Sequence, residues 1–284
     1  MSEPSLTIKT HSAHWGWDDH RYFGFSVFEQ LTGHESMVGM TALSALGRRL
    51  SKECCDVLDD IVCTSTLADP RIWPLKLTRL VASYGGTTSA LAAGLMIQEG
   101  ARVGPWVAVS AAQALIALQS AIGASNSSAE VLTAVKAYLT QHRFISGFGT
   151  PFRKYDERLV AFRKCMRRRQ RDRLPYWTTM ELVTEAVRIL RGVKPNIGLG
   201  IAAAMLDMEV APDQIGALGT ALAGHMFLAH AADGARHAEA LLRELPSSCV
   251  SYVGAAPRRS PLSTVGMSFI RHTGEPVRNS ASRT

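Results

Sequence analysis

The chain has 284 residues, 46% of them hydrophobic and 19% charged, with a formal net charge of +7 and five cysteines. That apolar content is enough to bury a large core in one big domain or two modest ones, as in an ordinary globular protein. The odd cysteine count has no framework spacing, and the opening MSEPSLTIKT lacks the apolar stretch of a secretory signal, so a reducing cytoplasm is expected.

Residues 1–20 are polar and crowd His11, His14, Trp15, Trp17, Asp18, Asp19 and His20 together. No regular helix sets these histidines on one face, so a packed aromatic strip is the expectation and a metal site is not. From Tyr22, apolar residues recur at spacings of three and four, which predicts two short helices divided by Thr32-Gly33-His34, then a third over Ser51 to Val62. Asp69-Pro70 and Trp73-Pro74 break the pattern before helix resumes at Leu75 to Ser83.

Ser89 to Ile97 and Val107 to Ile122 predict Ala-rich buried helices. Gly104 to Ala129 carries no charge at all, but its Ser110, Gln113, Gln119 and Ser120 favour a core helix over a membrane span. Ser127-x-x-Glu130 and Thr178-x-x-Glu181 have the form of capping boxes, predicting helices through Leu139 and Leu190. After Pro195 a helix is expected over Ile201 to Met208, then a long one from Pro212 past His230 towards Leu242. No convincing alternating strand is present, so the fold class is all-α. Gly274 to Thr284 reads as a polar tail.

Chemistry is concentrated at Gly147 to Arg158, GFGTPFRKYDER. Two glycines, a proline and then Arg153 and Lys154 describe a tight basic loop opening a helix, where N–H groups and cations meet an anion. The basic excess is centred here: Arg153 to Arg173 holds ten Lys and Arg against three Asp and Glu. With no zinc spacing, RNP-like aromatics or helix-turn-helix signature, this run reads as a solvated helix face or as a phosphate site on a small ligand, ahead of nucleic acid.

The loop resembles GFGH-(P/R)-x-x-K-x-x-D-P-R of the citrate synthase and citryl-CoA lyase superfamily. Other segments follow the same family in order: Arg21-Tyr22-x-Gly24 with Leu31-x-Gly33, Thr78-Arg79-Leu80 to Ala92-Ala93-Gly94, Pro195-Asn196-Ile197, Leu228-Ala229-His230, and Tyr252-Val253-Gly254 with Arg258. The resemblance implies an all-α, two-domain protein with a large domain over 1–103 and 205–284 and a small basic one over 104–204. It also implies a homodimer with its site in the cleft between the domains.

Such enzymes make or break a carbon–carbon bond between an acyl-CoA and a small oxoacid, using two histidines and an aspartate. On this sequence those positions fall on Val103, Thr150 and Gly198, none of which is a general base, although the Thr150 hydroxyl keeps a donor. His225 has no counterpart in the family and is the candidate for replacement chemistry. Gly147, Gly149, Arg153 and Lys154 are the expected coenzyme A contacts; Arg158, Asn196, His230 and Arg258 are the expected contacts to the acid. No metal is expected. Three functions stay open: an acyl-CoA-dependent synthase (acyltransferase) or lyase distinct from an ordinary citrate synthase, a catalytically silent acyl-CoA-binding or regulatory subunit paired with an active paralogue, and, last, a nucleic-acid-binding protein.

Overall fold

A computed structural model describes residues 8–98, 104–123, 127–150, 154–237 and 246–255. The apolar spacing from Tyr22 opens on sheet and not on helix. β1 (Ala13–His14), β2 (Arg21–Tyr22) and β3 (Phe25–Ser26) form a small antiparallel sheet in that order, with Tyr22 opposite Phe25. The two residues between them, Phe23 and Gly24, both have positive φ (49° and 85°), the hairpin turn whose twist matches its strands. Only Val27–Leu31 then coils, as a single wide π-helical turn opened by Ser26, whose hydroxyl accepts from Glu29 N.

Eleven α-helices follow among the described residues. α1 (Met37–Leu46) and α2 (Lys52–Ser65) are each N-capped by a serine, Ser36 and Ser51, and α1 ends on a left-handed Gly47. α3 (Trp73–Gly85), α4 (Thr87–Gln98), α5 (Pro105–Ile122) and α6 (Ser128–Gln141) lie within a few residues of where the apolar spacing puts them. α7 (Glu157–Arg168), α8 (Pro175–Arg191) and α9 (Ile197–Leu206) carry the middle of the chain.

α8 starts three residues before the expected Thr178, because Pro175 is pre-shaped for a first turn and the Asp207 carboxylate accepts from Tyr176 N and Trp177 N. The expected long last helix is two, α10 (Pro212–Leu222) and α11 (Gly224–His237), parted at Ala223. The carbonyl of Leu222 there takes a hydrogen bond from His225 Nδ1 at 2.9 Å.

α9 organises the packing. Its sequence IGLGIAAAML has no charge, and nine of its ten residues are buried; small side chains let neighbours approach from every side. It packs against α5, α8, α7 and α2, and the largest core joins it to α1, α2, α5, α7, α8 and α10 through Leu58, Leu115, Phe162, Trp177, Leu199 and Leu218. A second core lies under α5, α6 and α8, and a third joins α3 to α11 through Leu75, Met226 and Phe227. α5 has the length and apolarity of a membrane span, but Ala108, Ala111, Ala112, Leu115 and Leu118 are buried against other helices.

Met1–Leu242 is one compact unit, so the largest core draws on both segments that the resemblance assigns to different domains. In the second unit, Arg243–Thr284, the described residues hold a single 3₁₀ turn, Ser247–Cys249, followed by exposed Tyr252 and Val253.

Candidate functional site

The glycine-rich loop is pinned to the N-terminus of α9. Gly149 N donates to Lys194 O at 2.8 Å, Asn196 N donates to Gly147 O at 2.8 Å, and Asn196 Nδ2 donates to Gly149 O at 3.0 Å. Gly147 cannot be replaced cheaply: its φ is +88°, and a Cβ there would lie 2.7 Å from the Leu199 side chain. Thr150 follows directly, half-buried. The sequence-predicted residues Gly147, Gly149, Asn196, Gly198 and Arg158 are therefore brought to one place. Lys154, four residues after Thr150, is exposed to solvent. Val103, Arg153 and Arg258 lie outside the described residues.

Asp156, the first residue of the Asp156-Glu157-Arg158 segment that resembles the family's D-P-R one residue early, joins these parts. Asp156 is the N-cap of α7, and its side chain is 1% exposed. Oδ1 accepts from Arg158 N at 3.0 Å and Arg158 Nε at 2.9 Å; Oδ2 accepts from Arg158 NH2 at 2.7 Å and Ile197 N at 2.9 Å. Burial alone would raise its pKa, but the Arg158 hydrogen bond, the Ile197 N–H and the Arg158 charge outweigh burial and hold it below the usual carboxylate range. An acid one residue before an amphipathic helix was the signal available in the sequence, as an N-cap.

The donors at the head of α9 are consumed within the chain. Ile197 N goes to Asp156, Gly198 N to Asn196 Oδ1 at 2.9 Å, and Leu199 N to Asn196 O at 3.1 Å. Gly198 is buried, and a Cβ on it would lie 3.0 Å from Val107 Cγ1 and 3.1 Å from Asn196 Oδ1. An aspartate at this position would need Val107 of α5 to give way.

His225 and His230 make their polar contacts elsewhere. The carbonyl of Leu222 can only accept, so His225 Nδ1 carries the proton, and Nε2 pairs with the Thr66 hydroxyl at 2.8 Å. His230 Nε2 lies 3.4 Å from Leu67 O. Both histidines thus fasten residues 66–67 to α11, which packs on α3 and α4.

Within the basic run, Lys154, Lys164, Arg167, Arg168 and Arg173 are exposed, as on a solvated face, while two arginines tie helices together. Arg163 forks onto Glu181 of α8 at 2.8 and 2.7 Å, and Arg169 pairs with Asp60 and Asp56 of α2. Among the described residues no group of three or more His, Cys, Asp or Glu is placed to hold a metal ion. A groove of about 580 Å³ between α5 and α6 is lined by Ser110, Gln113, Tyr138, His142, Arg143 and Ser146, the last adjoining Gly147. Its volume is in the range of small-molecule sites.

The same arrangement of helices occurs in solved structures. Over 91% of its length the chain is similar to all but 1% of the citryl-CoA lyase of Hydrogenobacter thermophilus, 99% of which is covered, with TM-score 0.69 and 19% identity. The chain has the citrate synthase/citryl-CoA lyase fold. It covers 43% of the ATP citrate lyase of Methanothrix soehngenii, solved with citrate and coenzyme A, using 90% of its own length at TM-score 0.69 and 15% identity. The citrate synthase of Thermoplasma acidophilum, solved with carboxymethyl coenzyme A and oxaloacetate, is similar over 80% of this chain and 59% of that one, with TM-score 0.56 and 17% identity. No protein-family profile and no curated protein matches the sequence. Within this fold the Gly147–Thr150 loop and the head of α9 form the candidate site.

Proposed function

We propose that this protein handles an acyl-CoA at the Gly147–Lys154 loop and does not carry out ordinary citrate synthesis. The observation that carries the reading is the pinned loop, whose three hydrogen bonds to residues 194–196 fix a glycine-rich turn next in sequence to Ser146, which lines the groove with Arg143. Coenzyme A bound in a structural neighbour supports the ligand class. Of the two forms of this reading, enzyme and silent subunit, buried Gly198 under Val107 favours the silent acyl-CoA-binding subunit, since removal of an α-proton needs a positioned base there. The anchoring of His225 to Thr66 and Leu222 argues against its service as a substitute. The pairing of Arg163 and Arg169 with acids inside the fold disfavours the nucleic-acid reading.

Calorimetry with acetyl-CoA tests the ligand. Binding is expected to weaken with added salt and, in Lys154→Ala, by roughly 1.5–3 kcal/mol for a lost charge-assisted contact. Equal affinity in the variant removes Lys154 from the site, and salt-dependent binding of duplex DNA without coenzyme A overturns the reading.

A further inference from the structure

The ion pairs between α2 and α7 fix how these two helices are set against each other, and that setting brings two cysteines together. Arg169, the C-cap of α7, pairs with Asp60 and, at 3.2 Å, with Asp56, and Arg168 lies 3.6 Å from Asp60. Residues three and four apart share a helix face. Cys63 comes three residues after Asp60, on the Asp56–Asp60 face of α2, and Cys165 comes three and four residues before Arg168 and Arg169, on the face of α7 that meets it. The helices run antiparallel here: the charge of Arg169 is felt by Lys52 at the start of α2, whereas Cys165 feels Asp60 and Cys63 further along. One turn beyond the ion pairs, Cys63 and Cys165 therefore face each other. Cys63 is exposed, and half-buried Cys165 has its Sγ 3.8 Å from Arg168 NH2.

We propose that Cys63 and Cys165 form a reversible thiol–disulfide site, oxidised by a small-molecule disulfide such as glutathione disulfide, which closes a covalent staple between α2 and α7. The two thiols have different tasks. Exposed Cys63 reacts first: its thiolate, the proton having passed to solvent, attacks one sulfur of the oxidant and displaces one thiolate. Cys165 then loses its proton, attacks the Cys63 sulfur of that mixed disulfide and displaces the second thiolate. Two electrons pass from the cysteines to the oxidant, which leaves as two thiols. Burial, and after it Asp60, raises the Cys165 thiol above its usual value against the opposing charges of Arg168 and Arg169, which suits the resolving partner and not the first nucleophile. The inference does not depend on the acyl-CoA reading.

The test equilibrates the reduced full-length protein with glutathione disulfide, alkylates it and maps its peptides by mass spectrometry without reduction. The expected product joins the Cys63 and Cys165 peptides within one chain, lacks two hydrogen atoms, leaves Cys54, Cys55 and Cys249 alkylated, and reverts with dithiothreitol. Its melting temperature is expected to lie several degrees above that of the reduced protein, because the staple closes a long loop. Cys165→Ser is expected to stop at the mixed disulfide on Cys63, and Cys63→Ser to leave Cys165 unmodified under the same conditions. Should either variant not fold, the map of the wild type decides alone. Glutathione retained on wild-type Cys63 with Cys165 alkylated, a link to any other cysteine, links only between chains, or no oxidation at all overturns the inference.

Discussion

Asp156 is a single side chain on which two helices and an arginine depend, and its pH response is the clearest consequence at the scale of a residue. Its pKa is lower in the folded chain than in the unfolded one, where a carboxylate titrates near about 3.9. Its stabilisation is therefore complete above that unfolded value and is lost as pH falls through the folded one. Asp156→Ala is expected to cost about 3–5 kcal/mol at neutral pH, since it leaves Arg158 partly buried and unpaired, and to flatten the acid limb of stability below the unfolded carboxylate value. Denaturant unfolding across that range reads both effects; a variant whose stability falls with acid as steeply as wild type contradicts them. The turn that Gly147, Gly149 and Asn196 build was legible because a GFG turn and a helix-starting asparagine have local signatures. The role of Asp156 was not, because its second partner, Ile197, is remote in sequence.

At the scale of elements, α9 is stitched at both ends by carboxylates. Asp156 reaches in from the start of α7, and Asp207, the C-cap of α9, reaches out to the first turn of α8. Asp207 differs from Asp156 in sign. Burial raises its pKa, more than the Tyr176 and Trp177 N–H groups and Arg171 lower it, so its charged form is destabilised by folding as pH rises above the unfolded carboxylate value. Asp207→Ala should cost about 1–2 kcal/mol through the lost cap, and Asp207→Asn, which keeps an acceptor without the charge, clearly less at pH 7. Equal losses in equilibrium unfolding would assign the contribution to charge and not to the cap. Helix period located α2 and α3 because each has an apolar face of 3.6-residue repeat, whereas α4 and α5 were marked by Ala-rich uncharged runs and α6 by Ser127-x-x-Glu130. The hairpin at Phe23-Gly24 escaped because its apolar residues happen to keep helical spacing, and the α10–α11 break because nothing in the local sequence marks Ala223 as a stop.

On the scale of the whole molecule, the order of weak motifs along the chain was enough to identify the fold, and no single motif was. The division into a large domain and an inserted one stays a proposal taken from that resemblance. So does the homodimer, for which α5 offers an uncharged outer face including Trp106 and Ile116, each more than a third exposed. Sedimentation at micromolar concentration should give twice the 30.8 kDa chain mass; a monomer there counts against the assembly.

In the function proposed for this protein, an acyl-CoA is bound where no base reaches its α-carbon. The general base and the charge stabilisation of a forming enolate are each worth about 10²–10⁴-fold, and neither Thr150 nor Gly198 supplies a base. The most direct measurement is α-proton exchange of acetyl-CoA in deuterated water, followed by NMR with saturating protein and with oxaloacetate present. Line broadening that reports binding, with exchange no faster than in buffer and no release of free thiol, is the predicted result. Exchange at a rate typical of enzymatic enolisation, above all if His225→Ala abolishes it, would overturn the proposed function.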